Sequence, residues 1–144
     1  MARDQDCLFC RLAADPVPHE FYRDEAIYAI LVLHPIRPGH ALVLPRAHHP
    51  YFDDMPGDLA ARIMRFGQRL ARVQKAMFGV ERVGFLYTGG DVAHAHAHVV
   101  PLHEKGDITS TAYIEGTPAF GREPPAAKAD ELRAMVSALR EELM

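Results

Sequence analysis

Between Pro56 and Gly79 apolar side chains return every third or fourth residue, at Leu59, Ile63, Phe66, Leu70, Val73 and Met77. That spacing predicts one long amphipathic helix, with Pro56 in a first-turn position and Gly79 just past its end. A helix with a single apolar stripe needs a surface to bury it on, and the rest of the chain supplies strands. Glu20–Tyr22 and Ala26–Leu33 flank Arg23-Asp24-Glu25 as a hairpin would. His40–Leu44 reads as a third strand stopped at Pro45, Val83–Tyr87 as a fourth, and Ala93–Val100 as a fifth halted at Pro101. Cys7–Ala14 forms a short helical turn, closed by Asp15-Pro16-Val17-Pro18. The expected architecture is α+β: an antiparallel sheet covered by one long helix, with a second helix over Lys128–Met144. Thr111–Ile114 suggests a short strand, and the Gly- and Pro-rich stretch Gly116–Pro125 a surface loop.

At 144 residues the chain is expected to be a single domain large enough to bury a core without staples. Sixteen basic against nineteen acidic side chains leave a net charge of −3, which argues against nucleic-acid binding by charge. No apolar run approaches the ~18 residues of a membrane span. The opening Met-Ala-Arg-Asp-Gln-Asp has no stretch that would serve as a signal peptide, so a cytoplasmic protein is expected. In a reducing compartment the two cysteines, Cys7 and Cys10, suit a metal or redox role better than a structural bridge. The outlying count is nine histidines, more than Phe (7), Met (6) or Tyr (5). Eight of them fall in two stretches, at His34, His40, His48 and His49, then at His94, His96, His98 and His103.

His94-Ala95-His96-Ala97-His98 places an imidazole at every second residue. On a strand the three rings project from one face, with Ala95, Ala97 and Val99 on the other. A strand advances about 3.3–3.4 Å per residue, so the outer two Cα atoms lie roughly 13 Å apart. With Zn–N bonds of about 2.0–2.1 Å, no more than two of the three can share a metal. The third must do something else. The turn before this strand, Gly89-Gly90-Asp91, offers accessible backbone N–H groups of the kind that hold phosphate oxygens.

These features together resemble the histidine triad (HIT) superfamily of nucleotide hydrolases and nucleotidyl transferases. His94-Ala95-His96-Ala97-His98-Val99-Val100 is similar to its His-x-His-x-His signature. Cys7-Leu8-Phe9-Cys10 is similar to its N-terminal Cys-x-Phe-Cys. The run from His34-Pro35 through Pro38-Gly39-His40 to Pro45-Arg46-Ala47-His48 resembles its Pro-Gly-His segment. The likeness covers about residues 5–107 and leaves the extension from about 116 to 144 outside. It implies that His96 attacks the α-phosphorus of a nucleotide conjugate and carries a nucleotidyl-imidazole intermediate. It also implies that His98 bonds the phosphate oxygens, that His40 supports the ring positions, and that the protein is a homodimer. Gly89, Gly90 and Asp91 would line the substrate. In the zinc-containing branch the metal is held by the residues matching Cys7, Cys10, His48 and His94, a closed set that implies a structural ion. His49 is an adjacent rival to His48; two free thiols, or a redox pair, are the alternatives to the zinc site.

Two positions depart from the family pattern. Val32 stands where an acidic or amide residue often bonds the ribose hydroxyls, and Asp91 where Ser or Thr commonly meets the phosphate or leaving group. The reading is thus a phosphohydrolase or nucleotidyl transferase acting on an adenosine phosphoramidate or a dinucleoside polyphosphate. The alternative is a nucleotide-binding or interaction protein of the same fold with little catalysis.

Overall fold

The computed structural model describes residues 6–108 and 128–143. Two compact units divide the chain, one ending at Lys105 and the other beginning at Gly106. The first holds α1 (Leu8–Ala14), β1 (Glu20–Arg23), β2 (Ile27–Leu31), β3 (Ala41–Pro45), α2 (Gly57–Phe78), β4 (Arg82–Leu86) and β5 (Ala97–Leu102). The second contains α3 (Ala129–Leu143), with Asp130 and Glu131 in its first turn and Arg140 in its last, the signs that suit a helix dipole. Val136 is an exposed apolar residue of α3. The stretches expected as a strand at Thr111–Ile114 and a loop at Gly116–Pro125 lie outside the described residues. No described helix is long and apolar enough to cross a membrane.

The sheet is antiparallel throughout, in the order β1-β2-β3-β5-β4. Strands β2 and β3 are buried on both faces, so each feeds two cores by the two-residue alternation of a strand. Ile27, Ala29, Val43, Ala95, Ala97 and Val99 face α2, which answers with Ile63 and, partly buried, Leu59, Phe66 and Leu70. Ile63 is fully buried there, a site where truncation to Ala costs about 2–5 kcal/mol. Helix α2 stops at Gly79, whose φ of 63° is a left-handed conformation that glycine adopts without penalty. On the opposite face Tyr28, Ile30, Leu42 and Leu44 pack with Cys7, Phe9 and Ala13 of the α1 segment. The Tyr28 hydroxyl donates to the Phe9 carbonyl, and the Arg23 guanidinium donates to the free carbonyls of Leu12 and Ala13 at the end of α1. This fixes α1, and with it both cysteines, onto the sheet.

The histidine-bearing strand differs from the expected Ala93–Val100. It begins at Ala97 and runs through Pro101 to Leu102. Its ladder with β3 covers only Val43↔Ala97 to Ala41↔Val99, so Pro101 sits where one side of the strand has no pairing to lose. At the other end the ladder stops at Val43↔Ala97, and the Pro45 carbonyl accepts from His94 Nε2. The Ala95 N–H turns instead to the His49 carbonyl at 2.7 Å. The alternation survives outside the ladder: Ala95 joins the α2-side core, while the rings of His94 and His96 both lie against Phe9.

Candidate active site and metal centre

Four side chains from three segments meet at one end of the triad. Cys7 stands at the start of α1 and Cys10 three residues on, a spacing that brings two thiols to one end of a helix. His48 comes from the loop after β3, and His94 from the approach to β5. Their ligand atoms all lie within 4.8 Å of one another. The Sγ···Nδ1 separations are 3.4 Å (Cys7–His94), 3.2 Å (Cys10–His48) and 3.5 Å (Cys10–His94). A tetrahedral zinc with Zn–S of about 2.3 Å and Zn–N of about 2.05 Å needs S···N edges of about 3.6 Å, so these contacts match the edges of its coordination shell. The His94 Nε2–H donates to the Pro45 carbonyl at 2.9 Å, which leaves Nδ1 unprotonated and aimed at the two sulfurs. Burial holds His94 below its ordinary pKa, which favours the neutral ligand form. The Cys7, Cys10, His48 and His94 set therefore suits zinc with no position left for a reactant. Of the two adjacent histidines, it is His48 whose ring enters this group; His49 contributes its carbonyl to Ala95.

The other histidines form a chain of hydrogen bonds whose proton positions follow from its ends. The Ile36 N–H donates to His40 Nδ1, so the proton of His40 sits on Nε2. That N–H points to His98 Nδ1 at 2.9 Å, which places the His98 proton on Nε2. His98 Nε2 is buried and has no hydrogen-bond partner among the described residues. An orphaned buried donor costs about 1–3 kcal/mol, and a ligand oxygen would recover it. Burial, then the neighbouring rings of His96 and His40, push His98 down to about 4, with Asp91 opposing. The ring thus stays neutral near pH 7, keeping its single N–H. Burial likewise lowers His40. His96 is anchored from the other side: its Nδ1–H donates to the His94 carbonyl at 2.7 Å, leaving Nε2 with a free lone pair. The His96 and His98 rings are 5.1 Å apart between centroids. One free lone pair and one free N–H therefore stand side by side.

The His96 ring lines a cleft that the sequence reading missed. It is lined by Pro50, Tyr51, Phe52, Asp53, Tyr87, Thr88, Gly89, Ala95 and His96. Phe52 and Tyr87 rings lie 5.5 Å apart, and burial pushes the Tyr87 hydroxyl up to about 12. Gly89 has φ of 66°, and a Cβ there would come within 3.1 Å of the Tyr51 ring, so only glycine allows this turn to lie under Tyr51. Of the three turn residues expected to line the substrate, Gly89 is in the cleft wall, whereas Gly90 and Asp91 are not. Asp91 is exposed and acts on His98 through its charge. Val32 packs with Val92 against the α1-side core, an apolar wall on the far side of the triad from the cleft. The signal for the cleft was present in Pro50-Tyr51-Phe52, an aromatic pair directly after the His48-His49 metal loop and half-exposed in the fold.

The HIT domain family model matches residues 18–105, and the chain belongs to that family. The match ends at Lys105, where the first compact unit ends. An uncharacterised HIT-like protein of Mycobacterium tuberculosis is 34% identical over 112 residues, 74% of this chain and 77% of that protein. An adenosine 5′-monophosphoramidase of Saccharomyces cerevisiae is 27% identical over 122 residues, 81% of this chain and 72% of the yeast protein. The crystal structure of a zinc-bound histidine triad family protein from Mycobacterium smegmatis superposes with a TM-score of 0.65 at 28% identity, covering 97% of this chain and 99% of that one.

Proposed function

We propose that this chain is a nucleotide phosphohydrolase or nucleotidyl transferase that uses His96 as its nucleophile. The observation that carries the reading is the pair of unused atoms, the His96 Nε2 lone pair beside the His98 Nε2–H. A neutral imidazole attacks phosphorus well, and the carbonyl of His94 stabilises the positive charge its ring gains. In the proposed step the Nε2 lone pair forms a bond to the α-phosphorus of a purine nucleotide conjugate. The bond from phosphorus to the leaving nitrogen or oxygen breaks, and its electron pair departs with that atom, which takes a proton from water. His98 holds a non-bridging phosphate oxygen through its Nε2–H, and His40 holds His98 in the required tautomer. Water then cleaves the nucleotidyl-histidine, releasing a nucleoside monophosphate and restoring His96; another acceptor makes the reaction a transfer. Gly89 lets the turn approach the substrate; Gly90 and Asp91 follow it on the exposed side. The yeast amidase relative supports an adenosine phosphoramidate as substrate, and a dinucleoside polyphosphate offers the same α-phosphorus. Zinc, held by Cys7, Cys10, His48 and His94, would supply a structural clamp between α1 and the segment leading into β5. We further propose that the protein works in the cytoplasm as a homodimer of single-domain chains.

A second reading, a nucleotide-binding protein with little catalysis, is favoured by Asp91, whose carboxylate lies close enough to act on His98 and would repel a phosphate. Mixing the protein with adenosine 5′-monophosphoramidate and digesting it under mildly basic conditions tests both. The first reading expects an adenylylated peptide spanning His94–His98 and steady release of AMP. Binding without adduct or turnover supports the second.

A further inference from the structure

The buried residues of α2 are Ile63, Gly67 and Gln74, and the last of them is an amide. The helix had apolar side chains to offer in its place. Val73 and Met77, beside it and one turn on, are 54% and 70% exposed, whereas Gln74 is 3% exposed. Gln74 Nε2 donates to the Gly39 carbonyl at 2.9 Å and to the Val99 carbonyl at 3.1 Å, which uses both of its hydrogens. Oε1 is buried and meets no donor among the described residues. Burying a half-satisfied amide while methyl groups face water is unfavourable, so packing does not account for the position of Gln74; its two donated bonds do.

Those two carbonyls flank the paired rings of His40 and His98. Gly39 precedes His40, and Val99 follows His98. The β3–β5 ladder ends at Ala41↔Val99, so His40 lies beyond its last rung. There the Gly39–His40 peptide is held at both ends, its carbonyl by Gln74 and its N–H by the Arg37 carbonyl. One turn on from Gln74, the Phe78 ring lies against Gly39, whose φ is 87°; a Cβ at that position would collide with the ring. Val99 packs on the α2 face of the sheet, so by alternation the His98 ring projects from the opposite face. Helix α2 thus grips the backbone on both sides of the ring pair from behind the sheet.

We propose that Gln74 is a positioning residue: its amide ties the Gly39–His40 peptide to β5, which keeps the His40 Nε2–H on His98 Nδ1 and the His98 proton on Nε2. Its consequence for turnover rests on the His96 reading above. When the tie is cut, the His40 ring loses its fixed distance of 2.9 Å to His98, and the His98 proton is free to occupy either nitrogen.

The test uses Gln74→Met and Gln74→Leu in the zinc-loaded full chain. Both fill the space with an apolar side chain, remove the two donors and remove the orphaned Oε1, so the fold is retained. Leu70→Ala, a packing loss on the same helix away from the two carbonyls, is the control for a merely structural effect. The first readout is the 15N NMR of the histidine rings above pH 7, which needs no turnover. The native protein should show His98 as the Nε2–H tautomer, the Gln74 variants a mixture of tautomers, and Leu70→Ala the native pattern. The second is hydrolysis of adenosine 5′-monophosphoramidate. In the Gln74 variants kcat should fall about three- to tenfold with KM within about twofold of native, a smaller loss than His40→Ala causes. Gln74→Met combined with His40→Ala should be no slower than His40→Ala alone, because the amide acts through that ring. The inference is overturned if the His98 tautomer in the Gln74 variants stays native, if the two losses simply multiply, or if Leu70→Ala reproduces the tautomer mixture. Should the native protein form no adduct on His96 and release no AMP, the functional reading falls, while the tautomer readout still decides the role of Gln74. Native turnover with an unchanged tautomer in the variants removes this inference alone.

Discussion

Two ends of one five-residue run, His94 and His96–His98, are built from the same side chain and made to do different things. At the His94 end every lone pair converges on one point. Nδ1 of His94 and Nδ1 of His48 face two sulfurs within 4.8 Å, and the remaining nitrogen of His94 is tied to the Pro45 carbonyl. Nothing is left over, which is the mark of a clamp. At the other end the rings are strung in a line from Ile36 N–H through His40 to His98, with His96 pinned separately by the His94 carbonyl. Here one lone pair and one N–H remain unspent. What separates the two kinds of histidine in this protein is the partner of the second nitrogen, a carbonyl behind a sulfur-facing ring for His94 and a carbonyl behind an unused lone pair for His96.

That comparison can be broken most sharply at His96. His96→Asn should lower turnover of an adenosine phosphoramidate about a thousandfold or more, since it removes the attacking atom. Its zinc content by atomic emission should stay at the native level. Loss of zinc in that variant would show that the two ends are not separate sites. The next largest effect is expected at the clamp. Cys10→Ser or His48→Ala should abolish stoichiometric zinc and lower the thermal midpoint, yet leave the circular dichroism of a folded α+β protein. Both cores lie on a five-stranded sheet that has its own buried set, so the fold outlasts the metal. Complete unfolding on mild chelation would contradict this.

A smaller effect is expected at His40. His40→Ala deprives His98 Nδ1 of its donor and frees the His98 proton to occupy either nitrogen. We expect kcat to fall roughly 10–100-fold with a normal zinc content, and His40→Gln, which can still donate, to recover part of the loss. The smallest effect concerns acid stability. His98 is held at about 4 in the fold against 6.5 for an ordinary histidine. A proton therefore binds the unfolded chain before the folded one as the pH falls from about 6.5 toward 4, and His98 removes stability across that window. Denaturation midpoints measured from pH 7 to 4 should decline more steeply for the native protein than for His98→Gln. Equal slopes would mean that the ring takes up its proton at the same pH in the folded and unfolded chain.

Much of this architecture was legible in the sequence because it rests on periodicity. The three-and-four spacing from Leu59 to Met77 lies in α2 as expected, ended by Gly79, and the hairpin and the strands at 41–45 and 82–86 follow their apolar runs. The limit on sharing a metal rested on the rise of a strand, whereas β5 begins only at Ala97; the Cys/His group holds His94 alone of the three triad rings. The C-terminal edge of β5 was misread because Pro101 was treated as a stop. Pro101 is tolerated where the strand is paired on one side, and the late start at Ala97 shows in the fold alone. The choice of His48 over His49 required the fold, since adjacent residues in a loop differ only in where the backbone turns them. The aromatic cleft required it too. Tyr51-Phe52 and Tyr87-Thr88-Gly89 are 35 or more residues apart in sequence, and no local pattern announces that both will line one cleft with His96.

The central claim is that the triad is divided, with His94 on the metal and His96 on phosphorus. The most direct test is mass spectrometric mapping of the adenylylated peptide from the zinc-loaded protein, with zinc counted in the same sample before digestion. The account predicts one adenylyl group on His96, none on His94 or His98, and about one zinc per chain retained through turnover. An adduct on His94 or His98, or zinc lost as the adduct forms, would contradict it.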